Sequence, residues 1–305
     1  MADLIACPAV GVRRVIRGLG KTLICFGVLL FLFVAYQLWG TGISERREQK
    51  ELAAAFEQSQ LTTPPTLPGP LGTTSEDTAP PPPDLGASLG LLEIPKIDVK
   101  KFLVEGVGVE DLKKGPGHYP ETPMPGEKGN SAIAGHRTTY GAPFDNLDEL
   151  APGDEIFVTT AAGRFRYAVS ESLIVDPIDG AYVLEPTEDD RLTLTTCNPR
   201  FSAAERLIVI AKLMSNPVQS APRPEPDPAV PAAPGAQLDA GLSGAGASNT
   251  PAVLWGSLAA AIWLGAWLLG RAWRRWPAYT LGAIPFFVAL FIFYENVARL
   301  LPANV

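Results

Sequence analysis

Three long stretches of this chain contain no charged residue, and they constrain its fold more than any other feature of the sequence. They are Thr22–Trp39, Ala252–Gly270 and Pro277–Tyr294, each 18 or 19 residues long. A helix needs about 20 apolar residues to cross the hydrocarbon core of a bilayer. A buried core helix is the alternative, but uncharged runs of this length are typical of membrane spans. The sequence therefore predicts one membrane-spanning helix near the N-terminus and two near the C-terminus.

Two clusters of basic residues flank these runs. One precedes the first run and the other separates the second from the third: Arg13, Arg14, Arg17 and Lys21, then Arg271, Arg274 and Arg275. Clustered Lys and Arg stay on the cytoplasmic side of a membrane. We therefore expect a cytoplasmic tail over 1–21, a cytoplasmic loop over 271–276 and an extracytoplasmic tail over 295–305. The long segment between the first and second spans is then exported.

The first apolar run also resembles the core of a cleaved signal peptide, because a basic region precedes it. It is longer than the usual apolar core of about 7–15 residues, and the following VAYQLWG contains no small-x-small cleavage site. We favour an uncleaved anchor helix over 22–40, followed much later by spans over 251–270 and 277–294.

Two proline-rich segments enclose a block of globular composition. Eight prolines lie between Leu61 and Pro83, and the stretch 216–250 is rich in Pro, Ala and Gly. Such segments cannot pack a core and behave as semi-rigid spacers. Residues 44–60 have the composition of a short helical stem. We predict a stem and linker over 41–87, a globular domain over 88–215 and a second linker over 216–250.

Apolar residues inside the globular block recur with a period of two, which is typical of β-strands. In RFRYAVS, Phe165, Tyr167 and Val169 share one face, and the strands EIFVTT and RFRYAVSESLIV flank Ala-Ala-Gly as a hairpin would. RLTLTTC and ERLIVIAKL predict two further strands, and Pro95 divides GLLEIPKIDVKKFLVEG into two short ones. Only FDNLDELAPG indicates a short helix. Many short strands at turn-rich spacing predict an all-β barrel or sandwich.

Charge and ligand spacing exclude several functions. The block between Ser88 and Ser215 holds 13 Lys/Arg and 20 Asp/Glu, so it accounts for the whole net charge of −7. An acidic domain does not suit a phosphate backbone, so no nucleic acid partner is expected. Its two histidines and single cysteine lack CxxC or HxxxH spacing. No zinc site and no other cofactor is therefore predicted.

Cys197 is the only cysteine of the predicted exported segment, so it has no disulfide partner there. A cysteine nucleophile needs a proton carrier and a group that stabilises negative charge on the attacked oxygen. His136 in IAGHRTTYG could carry the proton. Arg206, nine residues after the cysteine, could return toward it through the loop CNPRFSAAER. From the residues alone, a nucleophile and an inert buried cysteine are equally compatible with this pattern.

Three motifs in this block resemble the sortases, which are membrane-anchored cysteine transpeptidases of Gram-positive bacteria. TLTTC at 193–197 fits the family signature T-L-x-T-C, and Arg206 follows at a matching position. GNSAIAGHRTTYGAPFDNLDELAPGDEI at 129–156 is similar to the family's histidine segment, and GPGHYPETPMPGEKGN resembles the approach to it. The resemblance covers roughly residues 89–213. It implies an eight-stranded β-barrel with the active site at one end.

The resemblance also implies roles for individual residues. Cys197 would be the nucleophile, His136 the general acid and then base, and Arg206 the group that stabilises the substrate and the oxyanion. Arg200 is the alternative for the cationic role. We interpret Arg137 as structural, because strand alternation would direct it away from the face of His136.

Further residues near these motifs are candidates for contacts with the substrate peptide. They are Thr196, Tyr140 and His118. A loop-packing role for Tyr140 and a structural role for His118 are the alternatives. The run Glu188–Asp190 matches a calcium site of some sortases only loosely, and we interpret it as a solvated corner.

The implied reaction is cleavage between Thr and Gly in an LAxTG or LPxTG motif of secreted proteins with C-terminal sorting signals. A thioester acyl-enzyme would then pass the protein to an amine of a cell-wall peptide precursor of the lipid II type, or to a pilin lysine. The chain would act as a multi-pass protein of the cell membrane, in contact with membrane lipid and with its catalytic domain extracytoplasmic.

Among subclasses, TLTTCNPRFSAAER and AGHRTTYGAPFDNL are most similar to class E, the housekeeping type of actinobacteria. Class C pilin polymerases usually carry a lid with an Asp-Pro-aromatic motif, whereas residues 61–90 offer only Pro-Asp-Leu at 83–85. A class C-like polymerase, a cysteine hydrolase that releases surface proteins and a non-catalytic membrane scaffold remain alternatives.

Overall fold

The computed structural model describes residues 9–62, 83–214, 248–272, 275–298 and 300. Most of the two predicted proline-rich linkers therefore lies outside the described residues, at 63–82 and 215–247. Five helices are present among the described residues. They are α1 (Ala9–Ala35), α2 (Thr41–Thr62), α3 (Val109–Leu112), α4 (Thr250–Ala272) and α5 (Arg275–Ala298).

Eight strands between the second and fourth helices close into a barrel. They are β1 (Ser88–Ile94), β2 (Val99–Glu105), β3 (Gly117–His118), β4 (Asn130–Ala134), β5 (Glu155–Thr160), β6 (Gly163–Val175), β7 (Arg191–Asn198) and β8 (Glu205–Leu213). Their order around the barrel is β1-β2-β3-β4-β7-β8-β6-β5, and β5 pairs with β1 to close it. The predicted all-β class and the eight-stranded barrel are confirmed.

Two strand pairs run parallel, β2 with β3 and β4 with β7, and the others are antiparallel. The pairing of β4 with β7 joins segments that are about 60 residues apart in the chain, with Ala134 opposite Thr195. Parallel neighbours need a long crossover. Here the crossover comprises β5, β6 and a 3₁₀ segment over Asp179–Leu184. The carboxyl ends of β4 and β7 consequently meet at the same end of the barrel.

The barrel is filled by the inward-facing side chains that the alternating pattern predicts. Leu92 and Ile94 of β1, Ile156 and Val158 of β5, and Ile133 of β4 are all buried in one core cluster. Alternate residues of β5 face outward, so burial follows a period of two along that strand. Burial of each such aliphatic side chain contributes about 1.5–3 kcal/mol relative to exposure.

The local predictions within the barrel are confirmed with one exception. The expected hairpin forms with Thr160 opposite Gly163, and Pro95 ends β1 in a 3₁₀ turn over Pro95–Ile97. The exception is FDNLDELAPG, where one 3₁₀ turn over Leu147–Glu149 replaces the expected short helix.

The three predicted spans lie in helices that are long and apolar enough to cross a membrane: Ile16–Leu61, Thr250–Ala272 and Trp276–Ala298. The two C-terminal helices pack against each other, and α5 also contacts the first span. Tyr36 is buried with Leu290 and Tyr294, and the Tyr294 hydroxyl donates a hydrogen bond of 2.7 Å to the Leu29 carbonyl. The three spans therefore associate within this one chain.

The predicted stem is helical, and it begins three residues earlier than expected, at Thr41. A π-helical segment over Tyr36–Gly40 connects it to α1 without a break. The stem does not project freely from the end of α1. It packs along the barrel beside β1 and β2, a contact that nothing in the sequence pattern indicates.

Candidate active site

The central strand of the candidate site is β7, which lies between β4 and β8. Cys197 is the penultimate residue of β7 and faces Arg206 directly in the antiparallel ladder. Residues opposite each other in such a ladder have Cβ atoms about 4.5–5.5 Å apart on the same face. The loop between the two strands turns the chain back and places Arg206 beside the cysteine, as predicted.

His136 reaches the same level from the other side of β7. The parallel register pairs Ala134 with Thr195. Two residues further along each segment, His136 therefore lies level with Cys197. Hydrogen bonds hold this alignment past the end of β4. The Gly135 amide donates to the Thr195 carbonyl at 3.0 Å, and the Thr196 hydroxyl donates to the Gly135 carbonyl at 2.7 Å. The structure thus brings Cys197, His136 and Arg206 together on three neighbouring segments.

All three residues are almost inaccessible to solvent. The exposed fraction is 0% for Cys197, 2% for His136 and 0% for Arg206. Cys197 belongs to an apolar cluster at the end of the barrel. The cluster contains Val107, Leu112, Tyr119, Ala132 and Ala134, with Leu184 and Ala203 packed against it. The site is therefore dry, and electrostatic interactions within it are stronger than at the surface.

Burial controls the protonation of His136. Neither ring nitrogen has a hydrogen-bond partner in the structure. Burial, with a smaller contribution from the positive charge of Lys113, lowers the pKa of His136 from 6.5 to about 3. The imidazole is consequently neutral at neutral pH and can accept a proton from a thiol.

The side chain of Arg206 is among the largest that are fully buried. Its Nη1 donates to the carbonyl oxygens of Ala203 at 3.0 Å and Glu205 at 2.9 Å. These bonds orient the guanidinium at the base of the β7–β8 loop. A cation held in this way beside a nucleophile can stabilise negative charge on a carbonyl oxygen.

Arg137 connects the histidine and cysteine segments, a structural arrangement in keeping with the role expected for it, although the sequence did not indicate its partners. Its Nη1 donates to the Cys197 carbonyl at 3.2 Å and to Asn198 Oδ1 at 2.7 Å, and its Nη2 lies 3.1 Å from Asp148 Oδ2. Arg137 lies beyond the end of β4 at Ala134, so its partners do not follow from the alternation of that strand. The signal available in the sequence was a second cation directly after the candidate histidine.

Tyr140 and Thr196 both lie at the site. The Tyr140 ring packs on the imidazole of His136, with ring centroids 5.0 Å apart. Thr196 is fully buried, and its hydroxyl is engaged with the Gly135 carbonyl. In this conformation Thr196 supports the strand ends, and contact of either residue with a peptide remains a prediction.

His118 is not brought to the cysteine. It is fully buried on β3, where Nδ1 lies 2.8 Å from Glu105 Oε2 and Nε2 lies 3.0 Å from the Pro123 carbonyl. Both ring nitrogens are engaged and none of the side chain is exposed. These contacts fit the structural role given as the alternative for His118, and its contact with substrate remains a prediction.

Arg200 and the acidic run are engaged elsewhere. Arg200 lies on the surface and pairs with Asp145 at 3.1 Å, so it is not in the position that Arg206 occupies. Asp189 pairs with Arg191, and Asp190 accepts a hydrogen bond of 2.9 Å from the Gly129 amide. Among the described residues, no group of three or more His, Cys, Asp or Glu side chains is arranged to hold a metal ion.

The geometry supports acyl transfer through the thiol. Attack by Cys197 on a carbonyl needs a base for the thiol proton and a donor for the oxyanion. His136 and Arg206 flank the cysteine on its two neighbouring segments. The apolar surroundings limit the access of bulk water to the thiol.

Comparison with known proteins gives results that agree with this chemistry. A family model described as the sortase domain matches residues 92–214. Sortase SrtE1 of Streptomyces coelicolor is 34% identical over 224 residues, which cover 68% of this chain and 60% of that protein. Sortase SrtE2 of the same organism is 30% identical over 214 residues, which cover 64% of this chain and 81% of that protein. The chain thus spans about 60% of the length of SrtE1.

Two solved structures are also similar. Sortase E from Streptomyces avermitilis is 37% identical, with a TM-score of 0.40, over 47% of this chain and 98% of that one. Sortase E1 from Streptomyces coelicolor with a tripeptide in the active site is 34% identical, with a TM-score of 0.39, over 50% of this chain and all of that one.

Proposed function

Because this chain belongs to the sortase family, we propose that it is a membrane-anchored cysteine transpeptidase with Cys197 as its nucleophile. The observation that carries the proposal is the alignment of Cys197 with Arg206 on one side and His136 on the other. The reaction is inferred from the family, and the residues that would perform it are inferred from the strand register.

In the first half-reaction, the Cys197 thiol attacks the carbonyl carbon of the Thr–Gly bond in a sorting motif. His136, neutral at rest, accepts the thiol proton. Arg206 stabilises the oxyanion of the tetrahedral intermediate. The C–N bond then breaks, His136 gives its proton to the departing glycine amine, and a thioester remains on Cys197.

In the second half-reaction, an acceptor amine attacks the thioester carbonyl. His136 removes the proton of the attacking amine, and the C–S bond breaks to restore the thiol. The product is an amide that joins the surface protein to the acceptor.

The substrates follow from the subclass. SrtE1 and SrtE2 among the relatives support class E, so we propose secreted proteins with LAxTG-type sorting signals as donors and a lipid II-type cell-wall precursor as acceptor. The basic clusters around Arg17 and Arg271 support an extracytoplasmic barrel between a cytoplasmic N-terminal tail and a cytoplasmic loop. Both substrates would reach the site from the outer face of the membrane.

The test is a transpeptidation assay on the full chain in lipid nanodiscs. An LAxTG peptide and an LPxTG peptide are incubated with and without a glycine amine or a lysine-containing peptide, and the products are identified by mass spectrometry. We expect a ligated product with the glycine amine and a thioester adduct on Cys197. Cys197→Ala abolishes both.

Other outcomes separate the alternatives. Release of the cleaved peptide without any amine-dependent product would identify a cysteine hydrolase. Efficient ligation only to the lysine peptide would identify a class C-like pilin polymerase. Full surface-protein anchoring by a strain that carries Cys197→Ala would identify a non-catalytic membrane scaffold.

A further inference from the structure

The docking of α2 on the barrel is specific, because one side-chain amide replaces a missing strand partner. Gln49 Nε2 donates to the carbonyls of Phe102 at 2.9 Å and Lys114 at 2.8 Å, while its Oε1 accepts from the Phe102 amide at 2.7 Å. The side chain thereby bridges β2 and the segment before β3. A Cβ atom at Gly115 would lie 2.2 Å from Gln49 Nε2, so glycine is needed at that position.

One turn closer to the membrane, the stem meets the loop that follows His136. Glu45 is buried and pairs with Lys101, with Oε1 and Nζ 2.6 Å apart. Its other carboxylate oxygen lies against Gly141, where a Cβ atom would be 2.6 Å away. Gly141 has a φ of +74°, which favours glycine. The loop backbone is thus shaped to accept the stem.

Thr41, in the first turn of α2, holds the loop residue that packs on the histidine. Its Oγ1 accepts a hydrogen bond of 3.2 Å from the Tyr140 amide and donates one of 2.9 Å to the Gln37 carbonyl. Tyr140 and Ala142 have φ values of 50° and 42°, which side-chain-bearing residues rarely adopt. Such conformations persist only where surrounding contacts maintain them.

We propose that α2 is a working part of the catalytic domain and that Thr41 is a positioning residue for His136, acting through Tyr140. The stem holds the Tyr140 backbone in its left-handed conformation, and the Tyr140 ring then fixes the plane of the imidazole from a centroid distance of 5.0 Å. The match to the sortase domain begins at residue 92, so this element lies outside the region that defines the family.

The test uses the full chain in nanodiscs and three variants. Thr41→Val preserves shape but removes the acceptor, and Thr41→Ser preserves the acceptor. Thr22→Val is the matched control, because Thr22 lies on α1 and its hydroxyl bonds only within that helix among the contacts described. Hydrogen exchange of the 138–142 segment and steady-state transpeptidation are measured for each, and exchange of β7 and β8 checks that the barrel is intact.

We expect Thr41→Val to speed exchange at the Tyr140 amide about tenfold, the scale of one buried hydrogen bond. It should lower kcat about fivefold with little change in KM, because a misplaced imidazole affects proton transfer more than peptide binding. Thr41→Ser and Thr22→Val should behave like the natural chain.

Unchanged exchange at Tyr140 in Thr41→Val, or equal loss of kcat in Thr41→Ser, would overturn the inference. The kinetic part of the inference rests on the proposed function, whereas the exchange measurement does not. If the natural chain forms no ligated product, the proposed function fails, and the exchange of the 138–142 segment still decides whether the stem positions the loop.

Discussion

Arg137 donates a hydrogen bond from Nη1 to the carbonyl oxygen of Cys197 at 3.2 Å. The residue after the proposed general acid and base is therefore tied to the backbone of the proposed nucleophile. The same guanidinium also binds Asn198 at the end of β7 and Asp148 in the 3₁₀ turn Leu147–Glu149. One buried cation thus sets the separation of two segments that come from distant parts of the chain.

Replacing this guanidinium should damage catalysis even when the charge is kept. We expect Arg137→Lys to lower kcat/KM of transpeptidation by about tenfold or more, because an ammonium cannot reproduce the planar fork of donors. Buried hydrogen bonds from charged groups contribute about 1.5–3 kcal/mol each. The measurement is steady-state kinetics together with thermal unfolding of the full chain.

Arg200→Lys is the matched control for that experiment. Arg200 contacts the same Asp148, at 3.6 Å, but its side chain is about two-fifths exposed. We expect a change of less than about twofold, as is common for exposed ion pairs. Equal losses for the two variants would show that Arg137 has no particular part in aligning the site.

The buried imidazole should make the fold sensitive to acid. Burial lowers the pKa of His136 to about 3 in the folded protein, against 6.5 for an unperturbed histidine. Between these values the unfolded chain binds more protons at this residue, so the free energy of unfolding falls as the pH is lowered from about 6.5 toward 3. The slope from one group reaches at most about 1.4 kcal/mol per pH unit.

His136→Gln removes this ionisation. Denaturant unfolding of the full chain at pH 7 and pH 5 should show a smaller loss of stability for His136→Gln than for the natural chain. Carboxylates that titrate in the same range contribute equally to both proteins. Identical losses would mean that His136 is accessible to protons in the folded state.

The stem should detach from the barrel when the side-chain amide of Gln49 is removed. We expect Gln49→Ala to leave the Phe102 amide and carbonyl without their side-chain partner, which costs about 1–3 kcal/mol per buried group. Limited proteolysis should then cut α2 several times faster while the barrel stays resistant. Gln60→Ala, on the exposed end of the same helix, is the control, and faster cleavage of that variant would point to general loss of helix stability.

The Tyr294 hydroxyl should stabilise the contact of α5 with the first span. Tyr294→Phe removes the 2.7 Å hydrogen bond to the Leu29 carbonyl and leaves the ring packing in place. Interhelical hydrogen bonds in membranes contribute about 0.6 kcal/mol on average, with larger values up to about 1.7. When the chain is expressed as two fragments divided in the 216–247 segment, we expect weaker co-purification of the variant pair.

Tyr279 offers a comparison in the same helix. It is about half-exposed at the other end of α5, so Tyr279→Phe should not alter co-purification. Loss of co-purification in both variants would assign the effect to the hydropathy of α5 rather than to the contact with Leu29.

The parts of the fold that repeat a simple pattern could be predicted. Burial alternates along β5 and β6, β8 is a nearly continuous apolar run, and Pro95 separates β1 from β2, so the positions of these strands follow from local chemistry. The short element after Phe144 has only one turn, and an apolar spacing of that length does not distinguish an α-helix from a 3₁₀ turn. The eight-stranded barrel was implied only by the resemblance, and its strand order was not predicted, because parallel pairing of β4 and β7 leaves no local signal.

The residues of the site also differ in how far the sequence predicts their positions. Cys197 and Arg206 belong to one hairpin, so their proximity could be anticipated from the loop that joins them. The bonds of Arg137 to Cys197 and Asn198 could not, since these partners lie about 60 residues further along the chain. The contact of Thr41 with Tyr140 spans 99 residues and involves a helix that local composition describes only as polar.

The contact of Thr41 with the active-site loop also fixes the height at which the enzyme operates. Thr41 follows Trp39, the last residue of the first apolar run, by two positions, or about 3 Å along a helix axis. In the proposed topology the catalytic end of the barrel therefore lies at the outer surface of the bilayer. Donor and acceptor would meet there in a thin two-dimensional layer. The rate of anchoring would then depend on their density per unit area of membrane and on lateral diffusion, and hardly on their concentration in the surrounding medium.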